Sequence, residues 1–464
     1  MEHTPYGYWL EEAGAPEPAP PLADELEADV VVLGGGYTGL WAAWHVTRLE
    51  PEARVVLLEA DVCGRGPSGR NGGFCNAMWF SLARMRECWG GEAALAVGHA
   101  AAAAVEGVGA FCEEQGVDAW FRRGDYMQVS TTPAHDAVWG SSLAACRELG
   151  VPGALRGITA EEVGARCASP LFRAGAVSPG ATLQPARLAL GLRARLRERG
   201  VQIFERSPVR ALRDAPDGVL ASTPGGTVRA HTAVVAIGGA GKGMRGPLRD
   251  RLSIASSHVV ITEPVPDLIE QIGWTGGECI IDGRSLVDYF RTTPDGRIAF
   301  GWGGGRIAIG ARPGGRSELD PEAVARTEAH LRAIFPGLAG RRVTHAWGGP
   351  IDASPTHLPM VVPLAGGSAF AAAGYTGNGV GPSHMVGRTL ASLALGIDDE
   401  AAQLAFVEPR PQRIPPEPLH WIGGEAIRAG IFVKEEAEVD GRSPHPVAKA
   451  LAGVPKLIGF HIGR

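Results

Sequence analysis

Residues 29–59 read DVVVLGGGYTGLWAAWHVTRLEPEARVVLLE. The wholly apolar run 30–33 suits a strand buried on both faces of a parallel sheet. A glycine-rich turn follows at once, with Gly34, Gly36 and Gly39 at GxGxxG spacing around Tyr37 and Thr38. The first glycine permits the tight turn, the second lets backbone approach a pyrophosphate, and the third lets helix and strand pack closely. After the helix, 54–58 makes a second strand ending at Glu59, where a carboxylate accepts hydrogen bonds from the ribose hydroxyls of an adenine dinucleotide. Three nearby glycines are easily found among 66, so the spacing alone is weak. Strand, turn, helix, strand and acid in order make a βαβ unit for NAD or FAD, with Gly35 left as an ordinary turn residue.

Around this unit the chain has 464 residues, 45% hydrophobic and 20% charged, which predicts a globular protein of two or three domains. A net charge of −6 argues against nucleic acid as a partner and gives no electrostatic reason to sit on an anionic membrane. The first basic residue is Arg48, so the start lacks the charged region of a signal peptide, and the expectation is cytoplasmic. Seven scattered cysteines without a CxxC pair predict reduced thiols, with neither a disulfide framework nor a metal site.

In chain order, residues 1–28 form an acidic, Pro/Ala-rich arm whose Tyr8, Trp9 and Leu10 dock on the body of the protein. The segment SGRNGG, Ser68, Gly69, Arg70, Asn71, Gly72 and Gly73, is too rich in Gly, Arg and Ser for regular structure and reads as a loop pressing backbone against something flat. Alanine-rich 91–115 predicts a long helix, 126–130 a strand, 160–166 and 185–199 helices, and 201–205 a strand. A strand pair is expected over 227–237, closing in small residues at Gly238 beneath a nucleotide. From 257 to 310 strands follow one another without helices, and Pro294-Asp295-Gly296 signals a hairpin. A helix is expected over 322–334, and 342–347 reads as a strand returning to the first domain. The stretch 353–387 holds no Asp, Glu, Lys or Arg, yet its prolines and glycines forbid a membrane helix; it reads as buried chain around a ligand. Its centre, GYTGNGV at 374–380, opens into a helix whose N-terminus favours negative charge, as on a reduced flavin. The last sixty residues predict helices packed on the outside, with an amphipathic membrane contact over 447–460 as a minor alternative.

With GxGxxG at 34–39, Glu59, SGRNGG at 68–73 and GYTGNGV at 374–380 in this order, the chain resembles the D-amino-acid oxidase superfamily of FAD-dependent oxidoreductases. Within it, the early Tyr8-Trp9 pair, the GRNGG loop and the GYxGxGV turn are similar to the gamma-glutamylputrescine oxidoreductase branch. The resemblance implies an α/β and α+β fold: a discontinuous Rossmann-like FAD domain (29–90, 180–245, 341–400), an antiparallel-sheet substrate domain (91–179, 246–340) and a C-terminal extension, 401–464. It implies Glu59 on the ribose, Val209 near the adenine, 68–73 beside the isoalloxazine, and Gly374, Gly377, Asn378, Gly379 and Val380 at its pyrimidine edge. The cysteine that tethers flavin in sarcosine oxidases aligns with Gly305, so noncovalent FAD is expected. The arginine and lysine that hold a substrate carboxylate in those relatives align with Asn76 and Gly381.

These readings lead to oxidation of a C–N bond in a small-molecule amine, with hydride passing to flavin N5 and the imine then hydrolysed. Oxygen is the expected acceptor, although the oxygen-activating lysine of relatives has no aligned counterpart, Lys242 being the nearest in sequence. An amino acid dehydrogenase or oxidase, a flavin monooxygenase and a non-catalytic FAD-binding protein are the alternatives. Tyr289 and Arg291 share one strand face by the two-residue period, with Trp302 and His258 on neighbouring strands, and these four with Asn378 are the candidate catalytic contacts. Sheet packing or a surface ion pair accounts for Tyr289, Trp302 and Arg291 equally well. The amine's identity and the oligomeric state are left open.

Overall fold

The computed structural model describes residues 2–3, 6–14, 16–239, 248, 250–311, 314–364, 366–407 and 413–462. Its first sheet is built on Glu25–Leu33, flanked by Val55–Leu58 and then Gln202–Phe204 on one side, and by Thr227–Val235 and Ala369–Ala373 on the other. These neighbours are parallel, and Met360–Pro363 closes the edge antiparallel. Val30, Val32, Val55 and Leu57 enter one apolar core, while Val31, Leu33, Val56 and Leu58 enter the other. The alternation explains why the sequence shows an unbroken apolar run: both faces are covered. Helices Tyr37–Leu49 and Val380–Ala394 pack together on the first face, where a Cβ at Gly387 would overlap Trp41.

The second sheet has ten strands and a largely antiparallel centre. Ser253–Thr262, Ile298–Trp302, Asp288–Thr292 and Cys279–Asp282 lie side by side, the middle hairpin turning at Gly296 with φ +76° as the sequence predicts. Arg122–Val129 continues the sheet in parallel with Cys279–Asp282, followed by Gly175–Thr182 and Phe74–Asn76. Helix Pro321–Ile334 covers its outer face. Helix Gly7–Ala13 buries Tyr8, Trp9 and Leu10, so the N-terminal aromatic cluster docks as expected. Helix Gly91–Glu114 is long and apolar enough to cross a membrane, and here it buries Val97, Ala101, Val108 and Phe111 in the core.

Several elements differ from expectation. The pair expected over 227–237 is one strand, and its antiparallel neighbour comes from the hairpin Ala211–Ala215 and Gly218–Ser222. That hairpin turns at Pro216-Asp217-Gly218, the same signal that is legible at 294–296. The strand expected at 342–347 extends over Val343–Ala353 and pairs with Ser253–Thr262 in the ten-stranded sheet, not in the nucleotide sheet. After Trp302 the chain leaves the sheet, because successive glycines at 303–305 supply no side chains to pack. The C-terminal helices Leu419–Val439 and Pro446–Leu457 form a hairpin that walls the main cavity; they do not merely cover the outside.

Candidate active site

Between the two sheets lies a cavity of about 1340 Å³. Gly34, Gly36, Tyr37, Thr38 and Glu59 line it from the βαβ unit, and Val209 and Gly238 from the neighbouring strand ends. Ser68, Arg70, Asn71 and Gly72 contribute from the loop, and Gly377, Asn378, Gly379 and Val380 from the turn before helix Val380–Ala394. Four other glycines singled out in the sequence stand behind the lining. A Cβ at Gly39 would overlap the Gly34 carbonyl, one at Gly69 the Gly64 carbonyl, and one at Gly73 the Leu183 carbonyl. Gly374 instead donates its N–H to Asp352 Oδ2 at 2.8 Å. Gly35 is more than a turn residue: it lines the cavity, and its N–H donates to Glu59 Oε2 at 2.6 Å.

The acidic end of the βαβ unit is tightly organised. Glu59 Oε1 accepts the Asp61 N–H at 2.9 Å, and burial pushes its carboxyl above the ordinary range. Gly34 sits at φ +107°, open to glycine and strained for other residues, and turns the chain directly into the helix start. With the helix N-terminus, a glycine-lined approach and the Glu59 carboxylate in one cavity wall, the residues present fit an adenine dinucleotide.

Loop 68–73 is held from behind, carbonyl by carbonyl. Trp347 Nε1 donates to Arg70 O at 2.8 Å, Trp9 Nε1 to Asn71 O at 2.9 Å, and Arg291 Nε to Gly72 O at 2.7 Å. Asn71 fixes the loop internally, donating to Ser68 O and accepting from Gly73 N. Ser68 Oγ accepts the Tyr37 N–H at 2.8 Å, joining the loop to the helix start. On the far side, Thr38 Oγ1 and Tyr375 OH are 2.7 Å apart, which ties the GYTGNGV turn to the same helix. Asp352 lines the cavity beside that turn, and burial raises its carboxyl to about 6.

Of the candidate catalytic contacts, Tyr289 and Asn378 reach the cavity. Tyr289 OH lies 2.6 Å from Ser257 Oγ, and burial raises its phenol to about 12. Arg291 is corrected: it is fully buried, its Nη2 donates to Leu183 O at 2.6 Å, and its guanidinium lies over Trp9, 4.7 Å from the ring centroid. It shares the Tyr289 face, as the two-residue period requires, but lies under the loop instead of in the cavity. His258 and Trp302 are also corrected. They pair directly with each other in register, on the face opposite Tyr289. His258 Nε2 accepts the Asp320 N–H at 2.9 Å, and Trp302 packs against His330 and Phe432. Ser257, one residue from His258, is a cavity residue that sequence reasoning missed; strand parity with Tyr289, once the register is known, is the signal that finds it.

Gly305 lines the cavity, and a side chain there would overlap Ser256, so a tethering cysteine has no room. Asn76 lines it as well, while Gly381 abuts the Asn76 carbonyl inside the helix. Lys242 lies outside the described residues. The C-terminal hairpin adds Gly424, Ile427, Arg428 and Ile431, none of them singled out in the sequence.

A family model described as FAD dependent oxidoreductase, DAO, matches residues 29–393. The chain is 28% identical over 413 residues to a probable oxidoreductase OrdL of Rhizobium meliloti, covering 85% of this chain and 90% of that protein. It is 26% identical over 404 residues to the gamma-glutamylputrescine oxidoreductase of Escherichia coli, with the same coverage of 85% and 90%. Among solved structures, glycine oxidase from Geobacillus kaustophilus superposes with a TM-score of 0.63 at 19% identity, covering 81% of this chain and 96% of that one. L-amino acid deaminase from Proteus myxofaciens gives 0.67 at 16% identity, with 86% and 96% covered. These two likenesses concern the fold.

Proposed function

The chain belongs to the DAO family of FAD-dependent oxidoreductases, and on that premise we propose that it oxidises the C–N bond of a small amine lacking an α-carboxylate. Bound FAD supplies a hydride acceptor for the carbon bearing nitrogen, and the imine product is hydrolysed. Glu59 holds the ribose hydroxyls, the helix start at 36–38 faces the pyrophosphate, Val209 lies by the adenine, and loop 68–73 and turn 374–380 seat the isoalloxazine. Tyr289 and Ser257 orient the amine through their paired hydroxyls. The apolar wall around them disfavours an ammonium ion, leaving nitrogen in the uncharged form that oxidation requires.

The observation that carries the substrate class is the commitment of the cavity's cations near the ten-stranded sheet. Arg428 donates through Nε and Nη2 to Glu425 at 3.1 and 3.0 Å, Arg291 is buried under the loop, and Asn76 and Gly381 bring no charge. A buried carboxylate without a cationic partner carries a desolvation cost of several kcal/mol. The second reading, oxidation of an amino acid, is favoured by Arg70, a cation that lines the cavity. Anaerobic flavin reduction by amines and their α-carboxylated counterparts separates the two. Faster reduction by the plain amine is expected, and a carboxylate preference abolished in Arg70→Gln would establish the second reading. Admitting air to the reduced enzyme then tests oxygen as the acceptor.

A further inference from the structure

The hairpin Leu419–Val439 and Pro446–Leu457 lies beyond residue 393, where the family match ends, so membership of the family gives it no role. It is joined to the ten-stranded sheet by specific bonds. Glu435 accepts the Ser285 N–H at 2.5 Å, Glu425 accepts the Ile307 N–H at 2.8 Å, and Arg428 Nη1 donates to Gly304 O at 3.0 Å. Those acceptors and donors belong to the loops that follow Cys279–Asp282 and Ile298–Trp302, whose strands flank the Tyr289 strand. The docking fixes the hairpin's apolar face. Ile431, only 4% exposed, packs on Leu286 and Trp302, and both Ile427 and Ile431 face the cavity alongside Val287.

On this wall the carboxylates of Glu435 and Glu425 accept docking bonds, Arg428 donates to Gly304 O and Glu425, and Ile427 and Ile431 present hydrocarbon to the cavity. We propose that Ile427 and Ile431, with Val287, form a distal subsite for an apolar substituent of the substrate, the carbon chain beyond the reacting carbon. The inference rests on the amine reading for the identity of the reacting end, but the subsite itself is a property of the wall. Substrates of this enzyme are accordingly amines with a hydrocarbon tail, and the hairpin sets the tail length that fits.

The test measures dissociation constants of the FAD-loaded, full-length enzyme for straight-chain primary amines from propylamine to octylamine, by anaerobic perturbation of flavin absorbance. Each added methylene should tighten binding about fourfold until the subsite is full. Ile427→Asp should flatten the series, and Ile427→Ala should move the break to a longer chain. If Ile427→Asp fails to fold, Ile427→Ala alone decides. A flat series in the unaltered enzyme, or an unchanged slope and break in a folded variant, overturns the proposal. Weakened FAD binding with the slope unchanged also overturns it and assigns the wall to the cofactor. If no amine reduces the flavin, the amine reading fails by itself; straight-chain alcohols then replace amines in the same series, and their chain-length dependence still decides the subsite.

Discussion

Glu59→Ala tests the nucleotide assignment most directly. The carboxylate accepts the Gly35 N–H at 2.6 Å and the Asp61 N–H at 2.9 Å, and the proposed assignment gives its remaining lone pairs to the ribose hydroxyls. Hydrogen bonds to a charged group contribute about 1.5–3 kcal/mol, so losing the ribose contacts should weaken FAD binding about ten- to hundredfold. The same change orphans two backbone donors, which costs the apoprotein about 1–3 kcal/mol for each one left without water. The two effects must be read separately. Titrating FAD with apoprotein, followed by quenching of flavin fluorescence, gives the dissociation constant, and circular dichroism of the apo variant shows that it is folded. A folded Glu59→Ala protein with an unchanged dissociation constant would refute the assignment.

Acid precipitation should release yellow flavin into the supernatant, because Gly305 offers no thiol and no space for one; colour in the pellet would contradict this. Arg291→Ala should lower stability by about 3 kcal/mol or more, since it strips the carbonyls of Gly72 and Leu183 of a buried charged donor. Thermal unfolding reads that loss, and a stable variant deficient only toward carboxylated substrates would return Arg291 to the cavity. Burial holds the His258 imidazole down at about 4 against an ordinary 6.5. Between those values the unfolded chain binds a proton that the folded chain does not, so this histidine makes stability fall as pH drops from 6.5 toward 4, by up to about 3 kcal/mol. Denaturant unfolding across that window should show a shallower fall in His258→Gln; equal slopes would place the titration elsewhere.

The βαβ unit was legible because its constraints are steric: Gly34 needs its positive φ, and any Cβ at Gly39 collides with the Gly34 carbonyl. The cavity loop was legible as a loop, but its carbonyl clamps come from Trp9, Trp347 and Arg291, each distant in sequence and recognisable only after folding. Strand parity accounts for the misplaced His258 and Trp302. Tyr289 fixes which residues face inward, yet alternation on the neighbouring strands depends on register, and a shift of one residue exchanges Ser257 for His258. The C-terminal hairpin was legible as helices, whereas its place in the cavity wall depends on Glu425 and Glu435 meeting backbone donors on remote loops.

The order in which the nucleotide sheet is assembled bears on how the protein is made. Val235 pairs with Ala371, so Thr227–Val235 waits beside an empty edge until the ribosome has passed the whole intervening region. Parallel pairings across such separations form slowly, and a nascent chain synthesised at about 5–20 residues per second exposes that edge for many seconds. The turn at 374–380 and the hairpin after residue 419 emerge later still. The edge of Thr227–Val235 is therefore open to wrong pairing until Ala369–Ala373 arrives.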